Sequence, residues 1–158
     1  MMRKRIINKI SKVPSSTDQN WLDLERLAQV EFTSEEAGHP VESALTVDEG
    51  PGWLAGETGE QTIRLLFDEP QALREIQLVF EEESRERTHE FVLRWSGDGG
   101  LSYREILRQQ YTFSPPGTTR EVEDYVVNLH GVTVLELRIV PDISRGDAQA
   151  SLILLRLA

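Results

Sequence analysis

Residues 44–67 read Ala-Leu-Thr-Val-Asp-Glu-Gly-Pro-Gly-Trp-Leu-Ala-Gly-Glu-Thr-Gly-Glu-Gln-Thr-Ile-Arg-Leu-Leu-Phe. A stiff Gly/Pro loop delivers a single tryptophan, Trp53. The chain then enters a strand in which the apolar residues Ile63, Leu65 and Phe67 recur at every second position. Period-two alternation after a breaker-rich loop is the signature of a half-buried strand. The stretch therefore reads as an anchored loop entering a β-sandwich, with Trp53 packed inside.

The same alternation recurs on both sides. Ala28, Val30 and Phe32 mark a first strand, and Ile76, Leu78 and Phe80 another. Phe91, Leu93 and Trp95 follow, which puts Trp95 in the core by parity. Tyr103–Tyr111 is a weaker strand, then come Val122–Leu129, Val134–Val140 and Ser151–Leu157. Residues 35–60 hold Gly38, Pro40, Gly50, Pro51, Gly52, Gly56 and Gly59, a density that reads as loop throughout. Asp68-Glu-Pro70, Gly97-Asp-Gly-Gly100 and His130-Gly131 read as turns. Ahead of the strands, Asp18 is placed to cap a short helix carrying Trp21, Leu24 and Leu27, with Trp21 plugging an open edge of the core. Short strands with almost no helix predict an all-β fold, an antiparallel β-sandwich of jelly-roll type.

Loop lengths locate a site. If successive strands reverse direction, the long connections 35–60, 82–87, 113–121 and 141–149 share one end. The short ones, 69–72, 97–102 and 130–132, share the other. Long loops carry function disproportionately, so the ligand is expected at the long-loop end. The side chains expected there are His39, Arg85, Arg87, Phe113, Arg120 and Arg145.

Composition narrows the function. The 158 residues suffice for one domain, 18–158, preceded by a basic flexible tail, 1–17. The formal net charge is -10. All three lysines and two arginines fall in the first twelve residues, which contain no acid. The remaining 12 arginines face 27 acids, leaving a body near -15. Such a body repels phosphate backbones, so nucleic acid is not an expected partner. No apolar run follows the basic start, and none approaches the roughly 20 residues of a membrane span. The expected address is cytoplasmic.

Catalytic constellations are missing from the sequence. There is no cysteine, and His39, His89 and His130 are isolated. No His-x-x-x-His pair or Gly-x-Ser-x-Gly elbow occurs. Glu81-Glu82-Glu83, with Glu86 and Glu90, is interleaved with Arg85 and Arg87, which favours a solvated hairpin end over a cation site. Gly97-Asp-Gly-Gly100 lacks the lysine and helix start of a phosphate loop and reads as a tight turn. The chain is therefore expected to be no enzyme and to carry no cofactor.

Three motifs in order carry a resemblance. Ala44-Leu45-Thr46-Val47-Asp48-Glu49-Gly50-Pro51-Gly52-Trp53 keeps the frame of an Ala-Leu-Asp-Gly-Asp turn followed by threonine and tryptophan. Ser96-Gly97-Asp98-Gly99-Gly100-Leu101-Ser102-Tyr103 matches Ser-x-Asp-Gly-Gly before an aromatic. Arg138-Ile139-Val140-Pro141 approaches a penultimate Arg-Ile-x-x-Pro pattern, with one residue fewer before the proline. From about Ala28 to Leu157 the chain resembles the discoidin, or coagulation-factor type C, group of galactose-binding-like domains, which includes many carbohydrate-binding modules. The resemblance implies a non-catalytic module that binds carbohydrate. The alternative is a protein-interaction module using the same loop end, where Phe113-Ser-Pro-Pro-Gly117 is stiff and partly apolar. Trp53-Leu-Ala-x-x-x-Gly59-Glu60-x-Thr62-Ile63 also resembles the amino-terminal domain of a single-strand-break repair scaffold of this fold, although the acidic body opposes DNA.

Metal-binding members of the group hold a structural calcium with the acidic turn and a glutamate of the last strand. Here Thr46 replaces the first aspartate, Pro51 the threonine, and Leu154 stands near the glutamate's place, while Asp48 is left with a turn role. Calcium needs six to eight oxygen ligands, so no metal site is expected. A chelator should leave the melting temperature unchanged, and a rise on adding millimolar calcium would overturn that expectation.

Overall fold

The computed structural model describes residues 11–12, 20–46 and 50–158. Among them, the elements run β1 (Ser11–Lys12), α1 (Leu24–Leu27), β2 (Ala28–Phe32), α2 (Glu42–Leu45), β3 (Trp53–Thr58) and β4 (Gln61–Glu81). They continue with β5 (Arg87–Ser96), β6 (Arg104–Phe113), β7 (Arg120–Val140), β8 (Gln149–Leu152) and β9 (Leu154–Leu157). Asp18, Asp48 and most of the basic segment lie outside the described residues. Ser11 and Lys12 pair antiparallel with Val126 and Tyr125.

β4 and β7, 21 residues each, pair antiparallel from Gln61↔Ile139 to Glu81↔Arg120. Fully extended, such a ribbon would span about 70 Å, well beyond a domain of this size. It must fold over. The register shifts between Leu66 and Gln71, Gln71 and Leu73, and Leu73 and Glu75 mark the corner, because bulges bend and twist a strand. One half of the ribbon joins a layer of order β2-β4-β7-β5-β6, and the other half is flanked by β9 on β4 and β1 on β7. The turns expected at Asp68-Glu-Pro70 and His130-Gly131 are therefore bends within continuous strands. Pro70 is tolerated because residues 67–70 have no partner on β7.

The expectation of unbroken loop over 35–60 also needs correction, since α2 and β3 lie within it. β3 pairs with β8 as a separate two-stranded ribbon. Glycine does not break it, because Gly56 is the one glycine inside, and a Cβ there would lie 2.6 Å from the Glu35 carbonyl oxygen. Gly52, at φ 79°, lets the chain pass over Leu152 just before Trp53. Trp53 is 1% exposed, and its Nε1 donates to the Ser34 carbonyl at 2.9 Å.

The two halves of the ribbon close on each other. Ile63, Leu65, Phe91, Leu93, Leu135, Leu137 and Ile139 face Leu73, Ile76, Leu78, Phe80, Leu155 and Leu157 in one core. Phe80 spans the layers, 5.0 Å from the Phe91 ring and edge-on to His89 at 4.6 Å. α1, with Asp23 rather than Asp18 at its N-cap, seals an edge. There Leu22 N–H donates to Leu157, and the Arg156 guanidinium lies 4.1 Å from the Trp21 ring centre. Trp95 packs against the core only in part, at the short-turn end.

The outer face of the five-stranded layer carries an alternating row of charge. Glu31, Arg64, Glu136, Arg94 and Glu105 stand opposite one another on β2, β4, β7, β5 and β6. Glu136 is fully covered by its two neighbours, accepting from Arg64 Nε and Arg94 Nε at 2.8 Å each. Opposite-charge pairs across strands each contribute a few tenths to about 1 kcal/mol. Phe80→Ala removes the ring that bridges the layers and should cost about 3–5 kcal/mol, read as a lower urea midpoint at unchanged slope.

Candidate functional site

The four long connections do gather at one end. Arg85 pairs with Asp147 at 2.9 Å, tying 82–87 to 141–149. Arg87 donates to the Pro141 carbonyl at 2.7 Å, and Glu82 N–H donates to Thr119 at 2.8 Å. The turn after β5 sits apart from them, beside the corner, where Gly99 N–H donates to Thr133 Oγ1. The corner has the same effect on direction as the reversals expected at 69–72 and 130–132, because folding the ribbon brings both of its ends back to one rim.

The turn Ser96–Ser102 is self-contained. Asp98 accepts from Ser96 Oγ at 2.6 Å, from Ser102 N–H at 2.9 Å and from Ser102 Oγ at 2.5 Å. Hydrogen bonds from Ser102 and Ser96 hold its carboxyl well below the usual range. Its oxygens fix the loop.

A groove of about 480 Å³ opens at the rim, between the segment leading into β3, the start of the β4–β5 connection and β8. His39, Glu83, Gln149 and Ser151 supply polar walls, and Pro51, Leu54 and Ile153 apolar ones. His39 Nδ1 is buried without a hydrogen-bond partner among the described residues. The aromatic that reaches the groove is Trp53, which offers almost no surface.

The expected site residues divide sharply. His39 lines the groove. Arg87 also borders it, but its side chain is 3% exposed, bonded through Nε to Glu82 Oε1 at 2.7 Å and lying 5.2 Å from the Phe113 ring centre. Phe113 is fully buried, 5.0 Å from His89 and 5.1 Å from Tyr111. It ends β6 rather than starting a loop and serves the core. Arg120 opens β7 and pairs with Glu81 at 3.0 Å. Arg85 is exposed and held by Asp147, and Arg145, at φ 66°, projects from the 141–148 connection.

Burial pushes the Glu82 carboxyl up, but hydrogen bonds from Arg87 and Ser84 outweigh it and leave it below the ordinary range. Gln149 and Ser151 went unnoticed in the sequence, although the alternation of Ala148, Ala150 and Leu152 inward predicts that they point outward. Among the described residues, no group of three or more His, Cys, Asp or Glu is arranged to hold a metal ion. Leu154 and Thr46 line an edge pocket with Trp21, Asp23, Glu25 and Arg156. No helix among the described residues is long and apolar enough to cross a membrane.

No family model matches the sequence, and no curated protein matches it. Solved structures do resemble it. The family 32 carbohydrate-binding module of C. perfringens NanJ, in complex with galactose, superposes with a TM-score of 0.63 at 13% identity, covering 87% of this chain and 96% of that one. A pectin-binding carbohydrate-binding module gives 0.61 at 16%, covering 84% and 90%. The family 32 module of AlyQ, in complex with 4,5-unsaturated mannuronic acid, gives 0.64 at 13%, covering 89% and 98%. The chain has the fold of these modules, the discoidin-like, galactose-binding-like β-sandwich.

Proposed function

We propose that this chain is a non-catalytic carbohydrate-binding module whose ligand lies in the groove at the loop rim. One observation carries the reading: the segment leading into β3, the start of the β4–β5 connection and β8 enclose a groove that joins His39, whose Nδ1 lacks a partner among the described residues, to an aliphatic wall. Saccharides present hydroxyls at their edges and C–H groups on their faces, and sites for them combine a few placed polar groups with apolar surface. Leu54 and Ile153 offer the apolar contact here, in place of a stacking ring. That solved structures of the same fold are carbohydrate-binding modules supports the same conclusion.

The acids support a non-catalytic role. A general acid needs a raised pKa. Glu82, the groove acid beside Arg87, is instead pulled down by hydrogen bonds from Arg87 and Ser84, and Asp98 and Asp147 are likewise lowered by hydrogen bonds or an arginine. A protein partner has less support. The exposed large apolar side chains among the described residues, Phe32, Leu101, Val122, Val126 and Ile143, are dispersed, and only Ile143 stands on the long-loop segments. Interaction faces usually present a contiguous apolar patch.

A glycan array probed with the labelled chain should show selective binding. His39→Ala should weaken that binding about ten-fold, the worth of one good hydrogen bond, without lowering the melting temperature. An array with no selective binding, or His39→Ala binding unchanged, would count against the groove.

A further inference from the structure

We infer that the groove accepts glycans carrying protonated amines and rejects glycans carrying carboxylates, an inference that rests on the carbohydrate-binding reading above. The charges lining the groove are Glu81, Glu82, Glu83 and Arg87. Glu81 is matched by Arg120 at 3.0 Å and Glu82 by Arg87 at 2.7 Å. Glu83 is exposed and has no ion-pair or hydrogen-bond partner among the described residues. One carboxylate is thus left over on the groove wall.

The cation is not available to balance a ligand's charge. Arg87 is enclosed, its Nε turned to Glu82 and its NH1 to the Pro141 carbonyl. Arg85, on the same connection, is held by Asp147. A uronate entering the groove would find no free guanidinium to fork its carboxylate, which is how proteins recognise such groups. It would instead meet the uncompensated charge of Glu83. An ammonium has three donors and no acceptor, and it suits this lining. It can donate to Glu83, while His39, whose buried Nδ1 lacks a partner among the described residues, lines the same groove.

The test is calorimetric titration of the full chain at about pH 6, where amines are protonated and carboxylates ionised. The probes are a glucosamine tetramer, a galacturonate tetramer, a galactose tetramer and tetralysine. The glucosamine tetramer should bind tightest, weaken as salt is raised, and lose about three-fold in affinity on Glu83→Gln, an exposed charge contact. Glu83→Lys should abolish that preference and admit galacturonate. Binding of galacturonate equal to or tighter than that of the glucosamine tetramer overturns the inference and leaves carbohydrate binding standing, as does equal binding of all three sugars. Silence toward every sugar overturns both. Tetralysine matching the glucosamine tetramer, with galactose silent, makes the groove a site for basic peptides and also overturns the inference.

Discussion

The pairing of β4 with β7 is the constraint from which the rest of the structure follows. Backbone donors and acceptors buried between two layers must be satisfied, and here one continuous ladder satisfies them in both layers at once. Every other strand of the large sheet attaches to this ribbon or to something that does: β2 and β9 to β4, β5 and β1 to β7, and β6 to β5, while β3 and β8 pair with each other beside it. Because one ribbon supplies the centre of both layers, the core between them forms between parts already hydrogen-bonded to each other. Phe80 on one half and Phe91 beside the other then set the spacing.

The layers themselves were readable in the sequence, because burial on one face imposes a period of two on each strand. Ile63, Leu65 and Phe67 could be assigned inward with no knowledge of their partners. The corners were not readable. Asp68-Glu-Pro70 has the same composition whether the chain reverses there or bends, and the deciding fact is the course of β7, some sixty residues later. Strand ends misled in the same way. Phe113, Arg87 and Arg120 sit at the first or last position of a strand, where alternation has too few residues to register. Phe113 thus reads as a rim aromatic from sequence, whereas it completes the inward set of β6. His39 was legible because its loop was. Which acid each arginine meets was not legible, since Arg85 and Asp147 lie 62 residues apart.

The arginines explain why an acidic chain holds together. Most of those described are committed: Arg64 and Arg94 to Glu136, Arg85 to Asp147, Arg87 to Glu82, Arg108 to Glu90 and Glu105, Arg120 to Glu81, Arg138 to Glu60. Exposed pairs of this kind stabilise little individually. Their effect is on the pattern of leftover charge. With Glu136 on the sheet face matched by two arginines, much of the excess negative charge falls to the connections, Glu35, Glu36, Glu83 and Glu86 among them.

The corner has a further consequence for how such a chain can change over generations. An extra residue in a connection at the rim is absorbed by the loop, whose length costs little. An extra residue between Gln61 and Leu66 has no such outlet. It would turn every later side chain of that half-strand from one face of its layer to the other, exposing leucines and burying Arg64. Novelty in recognition can thus accumulate at one pole while the opposite pole and the ribbon stay fixed in length, and the molecule separates the part that can vary from the part that cannot.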